Sequence, residues 1–367
     1  RPPSPLILVN YALGCQQKMR STRKKVTARF CAARTVRMAV YTTLTNEAIA
    51  EHLAEHYTVG TLDFAVGIAQ GVENTNYLLA VKTADGREEK YILTLYEKRV
   101  NPVDLPFFLD LLQHVAAAGV ACPKPIARND GALFGVLAGK QASLVSFLHG
   151  KSRSIIRNPH AASVGQALGQ LHRAAEGFSG TRANALSLVG WQSIYQKIVG
   201  RFDEIQPGLE ALVAAEMDYV AQHFVHNEAL PHGIIHADLF PDNVFFEEDD
   251  VSGVIDFYFA CNDALAYDVA ITLNAWCFER GGEFSPTKSK LLLAGYQKQR
   301  AFTQAETQAF PALLRGAALR FLLTRAHDWL NRDPHALVRP HDPLEYAAKL
   351  RFHQQVKDVG EYMVGGG

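Results

Sequence analysis

Two rhythms of apolar and polar positions run along this chain, a β-like alternation in its first third and a helical period afterwards. Thr45, Asn46 and Glu47 place a side-chain acceptor and negative charge at a helix start; Ile49 and Leu53 then set one apolar stripe ending near Tyr57. Residues 62–68, 76–82 and 90–96 predict three strands, with Asp85-Gly86 in the turn between the second and third. Leu105, Phe108, Leu109, Leu112 and Val115 at helical spacing predict a helix over 105–118 that Gly119 stops. One or two further short strands fall within 131–147.

Beyond that point helical periodicity covers 161–175, 209–225, 263–279, 286–298 and 310–331. One island interrupts it: 236–243, then the β-prone runs 244–247 and 253–256, separated by acidic turns. No internal repeat is present. The pattern predicts an α+β protein with a small β-rich lobe over 38–147, a larger mainly helical lobe over 148–367, and a polar cleft between them.

Composition narrows the possibilities. With 367 residues, 48% hydrophobic and 20% charged, the chain has the means to bury sizeable cores and is neither disordered nor of low complexity. No apolar run approaches the roughly 20 residues of a membrane-spanning helix, so no membrane partner is expected. Residues 1–37 hold nine Lys/Arg and no acid, leaving 28 basic against 37 acidic residues, a net of −9, in the rest. That acidic body argues against nucleic acid as a partner. The basic segment has the composition of a transit peptide but keeps no amphipathic stripe; it reads as an upstream extension outside the fold, with Met38 as the start. Cys15, Cys31, Cys122, Cys261 and Cys277 are scattered, which fits core thiols in a reducing, cytoplasmic compartment. His223, His226, His232 and His236 lack a Cys or carboxylate at metal-site spacing, so zinc is not expected.

The chemistry concentrates in His236-Ala237-Asp238-Leu239-Phe240-Pro241-Asp242-Asn243, followed by Ile255-Asp256-Phe257. Phosphoryl transfer needs one carboxylate to accept a hydroxyl proton and oxygen ligands for a magnesium ion bridging the phosphates. Asp238 fits the first role; Asn243 and Asp256 fit the second. A carboxylate closing an apolar strand, as Asp256 does, is costly unless it meets a cation. In the small lobe, Gly67 and Gly71 with Asn74, Thr75 and Asn76 form a candidate phosphate-covering loop. Gly150-Lys151-Ser152 looks like the end of a Walker A loop but lacks its leading glycine, and reads as the lobe connection.

From Met38 onward these segments resemble the Brenner and metal motifs of aminoglycoside-phosphotransferase and choline-kinase-like enzymes, a protein-kinase-like two-lobed fold. More narrowly, the chain is similar to the homoserine kinases of that superfamily. The narrower likeness rests on the runs beginning at Met38, Gly71, Tyr91 and Leu105, the Asn74-Thr75-Asn76 triplet, and Leu319-Arg320-Phe321-Leu322-Leu323-Thr324-Arg325. The resemblance implies ATP-dependent phosphorylation of the L-homoserine hydroxyl with Mg2+, in threonine biosynthesis. It assigns Asp238 as base and Asn243 and Asp256 to the metal. It also assigns Ser146, Phe147 and Leu148 to adenine through backbone groups.

Two features keep alternatives open. The third strand has Thr94 where kinases carry the lysine that grips the phosphates, and the next helix offers Asp104 and Asp110 but no glutamate for the usual ion pair. Lys98 and Arg99 are the candidate substitutes. A substrate carboxylate calls for a guanidinium, for which Arg320 and Arg325 stand on the late helix, with Asp328 available to an amine. The rivals are a kinase for choline, methylthioribose or an aminoglycoside, and a nucleotide-binding pseudokinase. Oligomeric state is not legible.

Overall fold

A computed structural model of the chain describes residues 42–68, 74–97, 101–224, 229–332 and 340–362. The readings made for residues 1–37, Gly71, Lys98, Arg99 and His226 lie outside the described residues. The chain divides into two units, one of Arg1–Val103 with Pro125–Phe147 and one of Asp104–Lys124 with Leu148–Gly367.

In the smaller unit, helix α1 (Asn46–His56) starts where Thr45 accepts a hydrogen bond from the Ala48 amide, as its cap sequence predicts. Five strands follow: β1 (Thr61–Ile68), β2 (Thr75–Lys82), β3 (Glu88–Leu95), β4 (Gly135–Leu137) and β5 (Lys140–Ser146). They form one antiparallel sheet in the order β1-β2-β3-β5-β4. Gly86 takes the positive φ that the β2–β3 turn demands, which is why the Asp-Gly pair marks it. Alternate side chains of the sheet, among them Tyr77, Leu79, Val81, Leu93, Leu95 and Leu144, bury one face together with Ile49 and Leu53 of α1.

The larger unit is mainly helical: α2 (Leu105–Ala117), α3 (Asn158–Ala174), α4 (Leu188–Ile198), α5 (Leu209–His223), α6 (Leu265–Trp276), α7 (Pro286–Gln297), α8 (Gln304–Leu330) and α9 (Leu344–Gln355). Helices α3 and α7 approach so closely that a Cβ at Gly165 would collide with the Leu292 carbonyl, and one at Gly295 with that of Ala162. Helix α8 begins six residues earlier than its apolar stripe indicates. Thr303 and Glu306 form a capping box there, and the helix absorbs Pro311 in its third turn. Helices α4 and α9 carried no clear stripe in the sequence. Cys122, Cys261 and Cys277 are all buried, and Trp191 is a core residue whose indole donates to the Leu186 carbonyl.

The predicted helix over 263–279 is instead a strand followed by a shorter helix, because β9 (Cys261–Ala264) pairs with β6 (His232–Ile235). A second ladder joins β7 (Val244–Glu247) to β8 (Asp250–Val254). Lys151 bridges to Phe246 through both backbone groups, so the glycine-lysine-serine stretch is a connection beside the β7–β8 hairpin.

Candidate active site

The nesting of the two ladders builds the site. The chain runs β6, loop 236–243, β7, β8, loop 255–260, β9; since β7 pairs with β8 and β6 with β9, the two loops must lie side by side. Two bonds tie them: the Ile255 amide donates to the Asn243 carbonyl (2.9 Å), and His236 Nε2 donates to the Ile255 carbonyl (3.0 Å). Asp238 and Asn243 come from the first loop and Asp256 from the second. All three are partly exposed.

Asn243 Nδ2 donates to both the carbonyl oxygen (2.9 Å) and Oδ2 (3.2 Å) of Asp238. Its amide nitrogen is thereby occupied, and its Oδ1 is the end that suits a cation. Asp256 sits at φ 67°, ψ 60°, a left-handed conformation that Asp tolerates better than most residues. An amide oxygen and a carboxylate form a hard donor set of the kind magnesium takes. Among the described residues no three His, Cys, Asp or Glu side chains converge on one point.

The loop that carries Asp238 is held from behind by contacts that the sequence does not show. Ala237 is also left-handed, at φ 63°, which costs on the order of 1–2 kcal/mol for a residue with a Cβ. Asp268 of α6, wholly buried, accepts the His236 amide at Oδ2 (2.6 Å) and the Ala237 amide at Oδ1 (2.9 Å). His172 Nε2 donates to the same Oδ2 (3.1 Å), and Tyr296 bonds His172 Nδ1 (2.9 Å). Burial works to raise the Asp268 carboxyl, but the hydrogen bonds it accepts from the His172 ring and the His236 backbone amide outweigh it and hold it below the ordinary carboxylate range. Burial lowers the His236 imidazole, and its Nδ1 accepts the Asp238 amide (3.3 Å), so this ring is neutral with its proton on Nε2.

Arg320 is 1% exposed, and its Nη1 donates to the Ala237 carbonyl (2.7 Å). The sequence placed it toward a substrate carboxylate; packing turns it into the loop instead, because its neighbours on α8 form the apolar face that α6 and α9 cover. Arg325 is held by the Glu345 carboxylate (2.7 Å) over the ring of Tyr346. Burial raises Glu345, but Lys349 and Arg325 prevail and bring it down to about 2. Asp328 is exposed beside His327.

In the smaller unit, Asn74 and Thr75 are buried and face Glu97: its amide donates to Asn74 Oδ1 (3.2 Å), and its carboxylate accepts from Thr75 Oγ1 (2.9 Å), Thr42 Oγ1 (2.6 Å) and Lys140 (2.8 Å). Gly67 lies in β1 opposite Tyr77. Asn76 accepts from Thr94 Oγ1 (2.7 Å), its direct cross-strand partner, so the position of the usual lysine is a neutral pair. Ser146 ends β5 opposite Tyr91, the Phe147 amide donates to the Lys90 carbonyl (3.3 Å), and Leu148 packs against Gly253 in the larger unit.

A profile of the phosphotransferase enzyme family matches residues 65–302. The homoserine kinase of Azorhizobium caulinodans is 54% identical over 329 residues, covering 89% of this chain and 99% of that protein. Among solved structures, an aminoglycoside phosphotransferase from Alicyclobacillus acidocaldarius superposes with TM-score 0.62 at 17% identity, over 88% of this chain and 96% of that one. The amicoumacin kinase hAmiN, solved in complex with AMP-PNP, Ca2+ and Ami, superposes with TM-score 0.60 at 16% identity, over 85% of this chain and 93% of that one. These two likenesses show the kinase-like fold that the resemblance implies.

Proposed function

The chain belongs to the phosphotransferase enzyme family, and from that premise we propose that it transfers the γ-phosphoryl group of ATP to the side-chain hydroxyl of L-homoserine. The product is O-phospho-L-homoserine, on the route to threonine. The observation that carries the mechanism is the pairing of Asn243 with Asp238 on one loop, tied to the Asp256 loop by the Ile255–Asn243 bond. Asp238 accepts the proton of the attacking hydroxyl. Asn243 and Asp256 would hold Mg2+, and the bound ion would supply charge neutralisation for the transferring phosphoryl group. Left-handed Ala237, fixed by Asp268 and Arg320, aims Asp238 before substrate arrives.

Residues Gly67, Gly71, Asn74, Thr75 and Asn76 belong to the segment proposed to cover the phosphates, and Ser146, Phe147 and Leu148 to the adenine-holding stretch. On the late helix, Arg325 and Asp328 are the groups proposed to meet the substrate's carboxylate and amine, while Arg320 serves from behind the catalytic loop. The scattered, buried thiols Cys122, Cys261 and Cys277 support a cytoplasmic location.

The test is a coupled ATP-turnover assay with L-homoserine, with choline and with no acceptor. Homoserine-dependent turnover that requires Mg2+, with O-phospho-L-homoserine identified by mass, is the expected result. Turnover that favours choline, or that needs no acceptor, would overturn the assignment.

A further inference from the structure

The missing lysine–glutamate ion pair raises the question of what orients the turn that presents Asp256. Arg182, in the connection between α3 and α4, reaches three segments of the larger unit at once. Its Nε donates to Asp104 Oδ2 (2.9 Å) and its Nη1 to the Ala260 carbonyl (3.0 Å). Its backbone is fixed to Asn262: the Arg182 amide donates to Asn262 Oδ1 (2.7 Å), and the Asn262 amide to the Arg182 carbonyl (2.7 Å). The guanidinium also lies 5.0 Å from the centre of the Phe108 ring, which meets Tyr258 edge to face at 5.7 Å. The 3-10 turn Phe257–Phe259, with Asp256 before it and Ala260 after it, is therefore gripped along its length.

Asp104 supplies an independent sign that this is a built contact. It stands at the N-cap of α2, a position whose side chain can accept an amide of the first turn, but here its backbone is helical and Pro106 has no amide proton to offer. Its side chain makes no such cap bond and pairs with Arg182 instead. Both partners are mostly sheltered from solvent, with side chains 22% and 29% exposed, so the pair is stronger than a surface ion pair. The arrangement couples the start of α2 to the metal-side turn through one fixed guanidinium. In other kinases the ion pair at this helix needs a lysine on the third strand, which Thr94 removes here.

We infer that Arg182 is a positioning residue, clamped by Asp104, that holds the 257–260 turn so that Asp256 is aimed for its divalent cation. The inference rests on the reading of Asp256 as a metal ligand. It predicts that losing the guanidinium weakens metal binding and leaves homoserine recognition nearly untouched. A lysine can satisfy Asp104 or Ala260 but lacks the fork to serve both.

The full-length protein should be tested as wild type, Arg182→Ala, Arg182→Lys, Asp104→Asn and the Arg182→Ala/Asp104→Asn double variant. Two quantities are read: the half-saturating Mg2+ concentration in homoserine phosphorylation, and the affinity for Mn2+ in the presence of AMP-PNP by electron paramagnetic resonance. Arg182→Ala should weaken both roughly tenfold, with KM for homoserine changed less than about twofold. Arg182→Lys should fall between it and wild type, and the double variant should be no worse than Arg182→Ala, as coupled partners require. Unchanged Mn2+ affinity in Arg182→Ala, with only a lower melting temperature, would reduce Arg182 to a structural residue and overturn the inference. Additive effects of the two substitutions would overturn the clamp. An Asp256→Ala control that keeps wild-type Mn2+ affinity would sink the metal reading itself, and the inference with it.

Discussion

Arg320 donates its Nη1 proton to the carbonyl oxygen of Ala237, 2.7 Å away, one residue before the proposed catalytic base. The amide on the other side of Ala237 is held by Asp268 at 2.9 Å. A buried cation and a buried anion thus grip one strained residue from both ends, and the loop they hold presents Asp238.

That relationship separates two roles for arginine on α8. Arg320→Ala should lower kcat by roughly 10- to 100-fold, the equivalent of about 1.5–3 kcal/mol for a charge-assisted hydrogen bond, with little change in KM for homoserine. Arg325→Ala should instead raise KM for homoserine more than for ATP. Homoserinol, which lacks the carboxylate, gives the check: the Arg325 variant should lose little further with it. A KM effect in the Arg320 variant alone would reverse the two assignments.

Asp238→Asn should keep the fold and ATP binding while cutting turnover by roughly 10²–10⁴. Steady-state kinetics alongside nucleotide titration will decide it, and near-normal turnover would remove Asp238 from the role of base.

For the metal pair, Asp256→Ala should abolish Mg2+-dependent turnover, whereas Asn243→Ala should be milder because a neutral amide contributes less charge neutralisation. A Mg2+ titration of each variant distinguishes them. Full rescue of Asp256→Ala by excess Mg2+ is the outcome that would count against direct ligation.

Asp268→Asn tests the support of the loop. The amide can accept through only one oxygen, and its NH2 would face a backbone N–H. Turnover should fall by about 10²-fold, the scale of a misplaced reacting group, with a stability loss of about 1–3 kcal/mol. A variant that loses stability but keeps kcat would confine Asp268 to folding.

Acid sensitivity should come in part from His353, wholly buried between Tyr362 and Asn274. Burial, then the charges of Lys349 and Arg315, lower its pKa from 6.5 to about 3. The folded state therefore binds fewer protons than the unfolded chain between those values. Its contribution is fully present above pH 6.5 and declines as pH falls through that window. Between pH 7.5 and 5 the loss should be about 2 kcal/mol. Denaturant melts at both pH values should show a shallower decline in His353→Gln; an unchanged slope would exclude this histidine as a source.

Much of the candidate site's layout could be read along the chain because its parts are local. Asp238 and Asn243 share a short loop, Asp256 ends the next hairpin, and such spacing constrains geometry before any packing is known. Cap and turn residues such as Thr45 and Asp85-Gly86 are local in the same way, since their partners lie within a turn. The start of α8 was equally local but was hidden by Pro311, which resembles a first helical residue.

Asp268, Arg320 and Arg182 were decided only in three dimensions. Asp268 falls in sequence inside the helix expected over 263–279, and its amide partners lie 31 and 32 residues away. Arg320 reads as a charge interrupting an apolar stripe, yet its acceptor is 83 residues distant. Arg182 reads as a loop arginine, while Asp104 and Ala260 lie 78 residues to either side. Periodicity marks which face of an element is buried but not which distant polar group meets a charge on that face. A buried charge is tolerable only where folding delivers its partner, so the same arginine that sequence alone sends toward a substrate is claimed by the backbone of the catalytic loop.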